Sequence, residues 1–250
     1  MEAQEPKMEV PTHLNPMVFY PRFQHITEQI FEHLDKQSLK NCRVVSKSWQ
    51  ESIDYKNIFW NEVFKNNDCS KAFQSSCKNG HTKIAKFLMK KSIEFKIDLN
   101  VRDNFGNTAF HKACKNDHSK IAEMFIQKSA EFNIELNTKD RYGMTAFNYA
   151  CKYGHSKITE MIIQKSAEFN IELNAKDQYG ETAFHYACAG WGTNNFKAVE
   201  IMIKNAKSFQ LDLTAKDDSG ETGFQLAQHY KNTDIINLIK RAMPNGENLI

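Results

Sequence analysis

Asp140-Arg-Tyr-Gly-Met-Thr-Ala-Phe-Asn-Tyr-Ala150 occurs in four versions along this chain. The others are Asp103-Asn-Phe-Gly-Asn-Thr-Ala-Phe-His-Lys-Ala113, Asp177-Gln-Tyr-Gly-Glu-Thr-Ala-Phe-His-Tyr-Ala187 and Asp217-Asp-Ser-Gly-Glu-Thr-Gly-Phe-Gln-Leu-Ala227, at intervals of 37, 37 and 40 residues. A period of this size marks stacked supersecondary units, none of which buries its apolar face alone. Such an array offers a long surface for holding another molecule and usually does no chemistry.

Each recurring letter has a physical task. Gly106, Gly143, Gly180 and Gly220 stand three residues after an Asp, as a tight turn with positive φ requires. Thr108, Thr145, Thr182 and Thr222 follow where a helix N-cap belongs. A short helix comes next, with Phe110, Ala113 and Cys114 on its packed face. A second helix is expected from Ser119, which reads as its cap, with Ile121, Met124, Phe125 and Phe132 on the apolar side. Asn133 and Asn170 fall where left-handed backbone is tolerated, and an extended stretch such as Ile134-Glu-Leu136 leads back to the next Asp.

Turn, helix, helix and return at this spacing resemble the ankyrin repeat, whose motif is Thr-Pro-Leu-His-x-Ala. The chain has Thr-Ala-Phe-His-Lys-Ala at 108–113 and Thr-Ala-Phe-His-Tyr-Ala at 182–187. Ala or Gly replaces the proline throughout, and Asn148 and Gln225 replace the histidine in two units. One period earlier, Phe73, Cys77, Gly80, His81, Ile84 and Ala85 keep the offsets without the turn, as an amino-terminal cap would. The expected units are 67–99, 100–136, 137–173, 174–213 and 214–245.

Positions that differ between units on turn tips and first helices are free to specify a partner. The candidate substrate-binding residues are Phe105, Arg141, Tyr142, Tyr149, Tyr153, Gln178, Tyr179 and Tyr186, since exposed aromatics beside arginine are typical of interface hot spots. The alternative is that these rings pack turn against turn. Trp191 joins the candidates because it sits in a unique insertion, Gly190-Trp-Gly-Thr-Asn-Asn195. Arg141, Lys152 and Lys115 could receive a phosphate, with a solvated face as the alternative reading.

Residues 20–65 lack the period and read as three short helices. Ile30-Phe-x-x-Leu-Asp35, Ser38-Leu39, Val45-Ser-Lys-x-Trp49 and Ile58-Phe-Trp60 resemble the F-box. The opening Leu-Pro of that family would fall at Arg22-Phe23, and the nearest proline is Pro21. The resemblance implies docking on the Skp-family adaptor of a cullin–RING ubiquitin ligase, with Pro21, Ile26, Ile30, Phe31, Leu34, Leu39, Val45 and Trp49 supplying or supporting the adaptor-facing surface. The ankyrin array would then hold an unknown substrate protein. Two alternatives stay open: an ankyrin scaffold whose helical cap binds no ligase, and a decoy that binds the adaptor and delivers nothing.

The expected architecture is all-α, a three-helix F-box followed by an ankyrin-repeat solenoid with β-turn or hairpin connections. A leader at 1–19 and a tail at 246–250 flank it. A net charge of +3 over 250 residues, without runs of like charge, argues against nucleic acid. No stretch approaches the roughly 18 apolar residues that span a bilayer. The Met1–Pro16 stretch is polar and carries Glu2, Glu5 and Glu9, unlike a signal peptide.

Cys77, Cys114, Cys151 and Cys188 repeat at an interval of 37. Equivalent positions in stacked helices lie about 10 Å apart, too far for a disulfide. They are expected as reduced, buried side chains, which places the chain in cytoplasm or nucleus. Phosphate loops, hydrolase elbows and zinc-binding helix motifs are absent from the sequence, so the expectation is a protein-binding adaptor without catalysis, metal or cofactor.

Overall fold

The computed structural model describes residues 69–93, 96–190 and 195–242, all within Ile58–Ile250, the second of two units into which the chain divides. The adaptor-facing candidates Pro21 to Trp49, and Trp191, lie outside the described residues.

Five helix pairs follow one another: α1 Cys69–Lys78 with α2 Thr82–Lys90, α3 Ala109–Lys115 with α4 Ser119–Lys128, α5 Ala146–Lys152 with α6 Ser156–Phe169, α7 Ala183–Ala189 with α8 Asn195–Phe209, and α9 Gly223–His229 with α10 Thr233–Ala242. Each first helix packs on the next first helix, each second helix on the next second helix, and the two helices of a pair on each other. The result is two helical layers with tight turns between pairs.

Four of the first helices have only seven residues, too few to persist alone in water. A capping box starts each of them. Thr108, Thr145 and Thr222 accept from the backbone N–H of His111, Asn148 and Gln225, and those side chains accept the threonine N–H in return. Packing supplies the rest. Phe73, Phe110, Phe147, Phe184 and Phe224 are buried one per pair, and the Phe125 ring lies 5.7 Å from Phe73 and 5.6 Å from Phe110. Cys77, Cys114, Cys151 and Cys188 are free thiols sealed in the same interior.

Two local expectations change. Ser119 and Ser156 open their helices, but the preceding His118 and His155 occupy the N-cap positions and make no side-chain cap; their rings are engaged elsewhere. The return stretches do not form strands among the described residues, where a single antiparallel bridge joins Lys216 to Thr222. Ile134 and Leu136 are buried beneath the helices. The Glu135 N–H between them is taken by the Asn100 side chain at 3.0 Å instead of by a neighbouring strand.

The turn tips explain the glycines. In each, the Asp carboxylate accepts two N–H groups, as Asp140 does from Tyr142 at 2.8 Å and Met144 at 2.9 Å. Gly106, Gly143, Gly180 and Gly220 have φ between 74 and 81°. A Cβ on Gly143 would come within 2.8 Å of the backbone nitrogen of Gln178 in the next tip, whereas Gly220, in the final tip, has nothing within 4 Å. The first three glycines therefore answer two demands and the last only one.

Gly143→Ala should accordingly cost about 3 kcal/mol, combining left-handed strain with overpacking, and Gly220→Ala about 1 kcal/mol from strain alone. Urea midpoints of the two variants compare them; equal midpoints would show that turn-to-turn approach is no constraint.

Candidate protein-interaction surface

Four sets of bonds lock successive pairs and thereby define what is left for a partner. The first runs through the tips, where Arg141 N–H donates to Phe105 O at 2.9 Å, Gln178 N–H to Tyr142 O at 3.0 Å and Asp218 N–H to Tyr179 O at 3.0 Å. The second joins the ends of the first helices. His118 Nε2 donates to Lys78 O at 2.8 Å, His155 Nε2 to Lys115 O at 3.0 Å, Asn195 to Cys151 O at 3.1 Å and Asn232 to Cys188 O at 2.9 Å. These carbonyls lie in the last turn of each helix, where the helix itself offers no N–H four residues on.

The third is a two-way amide clamp on the return stretches. Asn100 donates to Asn133 O at 2.9 Å while accepting from Glu135 N–H, and Asn137 and Asn174 repeat the pattern on Asn170 with Glu172 and on Gln210 with Asp212. The fourth is a column of cations. Arg102 donates to Lys139 O, Lys139 to Lys176 O at 2.8 Å and Lys176 to Lys216 O at 2.8 Å. A backbone oxygen of the next unit thus occupies each of these cationic side chains. None of the four ladders was read as such from the sequence, although recurrence of His, Asn and Lys at the repeat interval was the available signal.

His111 and His185 belong to this scaffold too. Their Nε2 atoms lie 3.1 Å from Met144 O and Glu221 O, which can only accept, so Nε2 carries the proton. Nδ1 then accepts from the cap threonines: Thr108 N–H at 3.2 Å and Thr182 N–H at 3.1 Å. Burial lowers both histidine pKa values from their ordinary one, in keeping with neutral rings.

Against this frame the candidate aromatics divide in two. Phe105, Tyr142 and Tyr179 project from successive tips and are 58, 46 and 60% exposed, with Arg141 and Gln178 exposed beside them. Tyr149 and Tyr186 are only 5 and 6% exposed, contrary to the outward placement expected for them. Their hydroxyls donate to Asp140 at 2.7 Å and Asp177 at 2.6 Å, the anchors of their own turns. Burial, reinforced by those hydrogen bonds, pushes both phenol pKa values up. Lys112 serves the equivalent Asp103 at 3.2 Å. The reason is geometric: this helical position looks back at the turn of its own unit. Met144, a variable tip position, is buried with the two tyrosines, and half-buried Tyr153 packs against the cluster.

Tyr153 stacks on Tyr149 at 6.4 Å with the rings 7° from parallel. The Lys115 ammonium lies 5.0 Å from the Tyr149 ring centre and 6.0 Å from that of Tyr153, and the Lys152 ammonium lies 4.7 Å from Tyr186. The surface is therefore a row of exposed rings at the tips, and a tyrosine floor carrying lysines on the first helices. Among the described residues no helix is long and apolar enough to cross a membrane.

Known families match both parts of the chain. The ankyrin-repeat family model fits in three overlapping copies, over residues 55–135, 75–173 and 133–212. The chain belongs to the ankyrin-repeat family. Residues 24–66 match the F-box-like family, so an F-box-like segment leads into the ankyrin repeats, and both are protein-interaction modules. A search of curated proteins finds no match.

The buried histidines make stability sensitive to acid. Unfolded histidine binds a proton near pH 6.5, while the folded rings resist it, so the unfolded state holds more protons below that value and stability is lost as pH falls. The chemical-denaturation midpoint should drop between about pH 6.5 and the lowered folded value. Replacing His111 and His185 by Gln, which fills the same slot at Gln225, should flatten most of that slope. An unchanged slope would assign the acid sensitivity to other groups.

Proposed function

We propose that this chain is a non-catalytic substrate adaptor of a Skp–cullin–F-box ubiquitin ligase. The observation that carries the reading is the F-box-like match at 24–66 immediately ahead of an ankyrin array. The F-box at 20–65 docks on the Skp-family adaptor, and through it the cullin, by way of Pro21, Ile26, Ile30, Phe31, Leu34, Leu39, Val45 and Trp49. The repeats at 67–245 hold the substrate. Proximity is the whole contribution: a captured lysine stays at high effective concentration beside the charged ubiquitin-conjugating enzyme.

The substrate surface of this reading comprises Phe105, Tyr142, Tyr179, Arg141 and Gln178 at the tips, with Tyr153 on the first-helix side and Trp191 in the insertion. Tyr149 and Tyr186 support it from below. Large, stiff rings in a row bury apolar area at little entropic cost, and their backbones are mutually bonded before a partner arrives. That order reduces what binding must immobilise.

Co-purification of the full chain with the Skp-family adaptor tests the first half. Leu39→Ala with Trp49→Ala should abolish the complex and leave the repeats folded; failure of the unmodified chain to bind would leave an ankyrin scaffold without a ligase. Tyr142→Ala with Tyr179→Ala tests the second half. The double variant should keep the adaptor and weaken substrate capture by about tenfold or more, as loss of two hot-spot rings implies. Undiminished capture would move the substrate site off the tips.

A further inference from the structure

The tips carry a second pattern beside their rings. In three successive turns the residue ahead of the ring position gives its backbone N–H to the ring residue of the turn before. Arg141 is tied in this way to Phe105, Gln178 to Tyr142 and Asp218 to Tyr179. All three are exposed, and their side chains have no partner among the described residues. Three exposed rings are thus accompanied, in register, by a cation, an amide and a carboxylate.

Two further positions run the same way. Met144 gives way to Glu181 and then Glu221. The donors that serve the anchoring carboxylates also come to an end. Lys112 serves Asp103 at 3.2 Å, Tyr149 serves Asp140 at 2.7 Å and Tyr186 serves Asp177 at 2.6 Å. Leu226 holds that place in the last unit and leaves Asp217 with its two tip N–H groups alone. No cation pairs with Asp217, Asp218 or Glu221 among the described residues. Arg102, Lys139, Lys176 and Lys216 recur at one place in all four tip-bearing units, so they add no gradient. The row is therefore positive beside Phe105 and negative beside Tyr179.

Spacing identifies the conformation of an occupant. Stacked helices stand about 10 Å apart, and the rings recur once per unit. A polyproline II segment repeats every three residues and advances about 9.3 Å in doing so, so it shows one face to every ring. A β-strand turns every third side chain to the opposite face, and a helix, about 10 Å across, is too wide for the slots between projecting rings. We propose that the tip row binds a proline-rich substrate segment in the polyproline II conformation, with prolines between the rings, an acidic residue on Arg141 and a basic residue on Asp218. Arg141 and Asp218 are two units apart, about 20 Å, which such a segment covers in about six residues. Nucleic acid does not fit, because Asp218 and Glu221 repel phosphates at one end of the row. The inference rests on the tips being the substrate receptor and adds the conformation and charge order of what they hold.

Fluorescence anisotropy with the full chain tests it, using fluorescein-labelled Ala-Glu-Pro-Pro-Gln-Pro-Pro-Arg-Pro-Ala. This peptide should bind, and versions with Gln in place of Glu or of Arg should each bind about fivefold more weakly. Tyr142→Ala with Tyr179→Ala should weaken it about tenfold or more. Arg141→Asp should also weaken it about tenfold, and should recover a version with arginine at both charged positions, which shows that the variant is folded. No recovery would take the acidic residue off Arg141. No binding of the parent peptide, or equal binding of one with both charges neutralised, overturns the proposal. Equal binding after the prolines are replaced by serine overturns the conformation, and equal binding with Glu and Arg four residues apart overturns the spacing. Adaptor co-purification on the same sample separates this from the ligase reading. Peptide binding without adaptor binding sinks the ligase and leaves the site, and the reverse result sinks the site alone.

Discussion

A carbonyl near the end of each of the first four first helices is bonded by a side chain of the unit that follows, and the stacking of the array turns on that bond. A seven-residue helix leaves more than half of its backbone oxygens without internal partners. His118 and His155 meet those of α1 and α3, and Asn195 and Asn232 those of α5 and α7. Histidine and asparagine can exchange here because the task is a single N–H donated across a fixed gap. Asn195 fills the slot even though three extra residues precede it, so the register of the stack is kept.

The same dependence explains why the polar residues outnumber what a partner could use. Asn100, Asn137 and Asn174 spend both donor and acceptor on the next return stretch, and Arg102, Lys139 and Lys176 each reach a neighbouring carbonyl. Residues so engaged are scaffold despite their exposure. What is left for recognition is narrower, comprising the tip rings, whose backbone is bonded while the ring itself projects outward.

The last unit shows what a neighbour contributes. Gly220 meets nothing where Gly143 meets a backbone, Ser219 replaces the exposed ring, and Leu226 stands where Tyr149 and Tyr186 bond their Asp. Among the described residues no later turn approaches Gly220, so only its backbone conformation constrains that position. Among the described residues the row of exposed rings at the tips spans Phe105 to Tyr179.

Much of this was legible in the amino-acid sequence. The interval of 37 residues, the Asp-x-x-Gly turn, the threonine caps and the buried cysteines follow from local geometry and short-range hydrogen bonding, which a single unit contains within itself. Phe105, Tyr142 and Tyr179 could be placed at tips for the same reason. Tyr149 and Tyr186 could not be told apart from them, because a tyrosine on a short helix faces either solvent or its own turn, and only the packed position of Asp140 and Asp177 decides which. The ladders of His118, Asn100 and Lys139 were equally hidden, since each bond joins atoms more than thirty residues apart. Sequence by itself determined the repeating unit and its turns; the tertiary structure alone decided which polar and aromatic side chains are consumed in joining one unit to the next, because that depends on distances set only when the units stack.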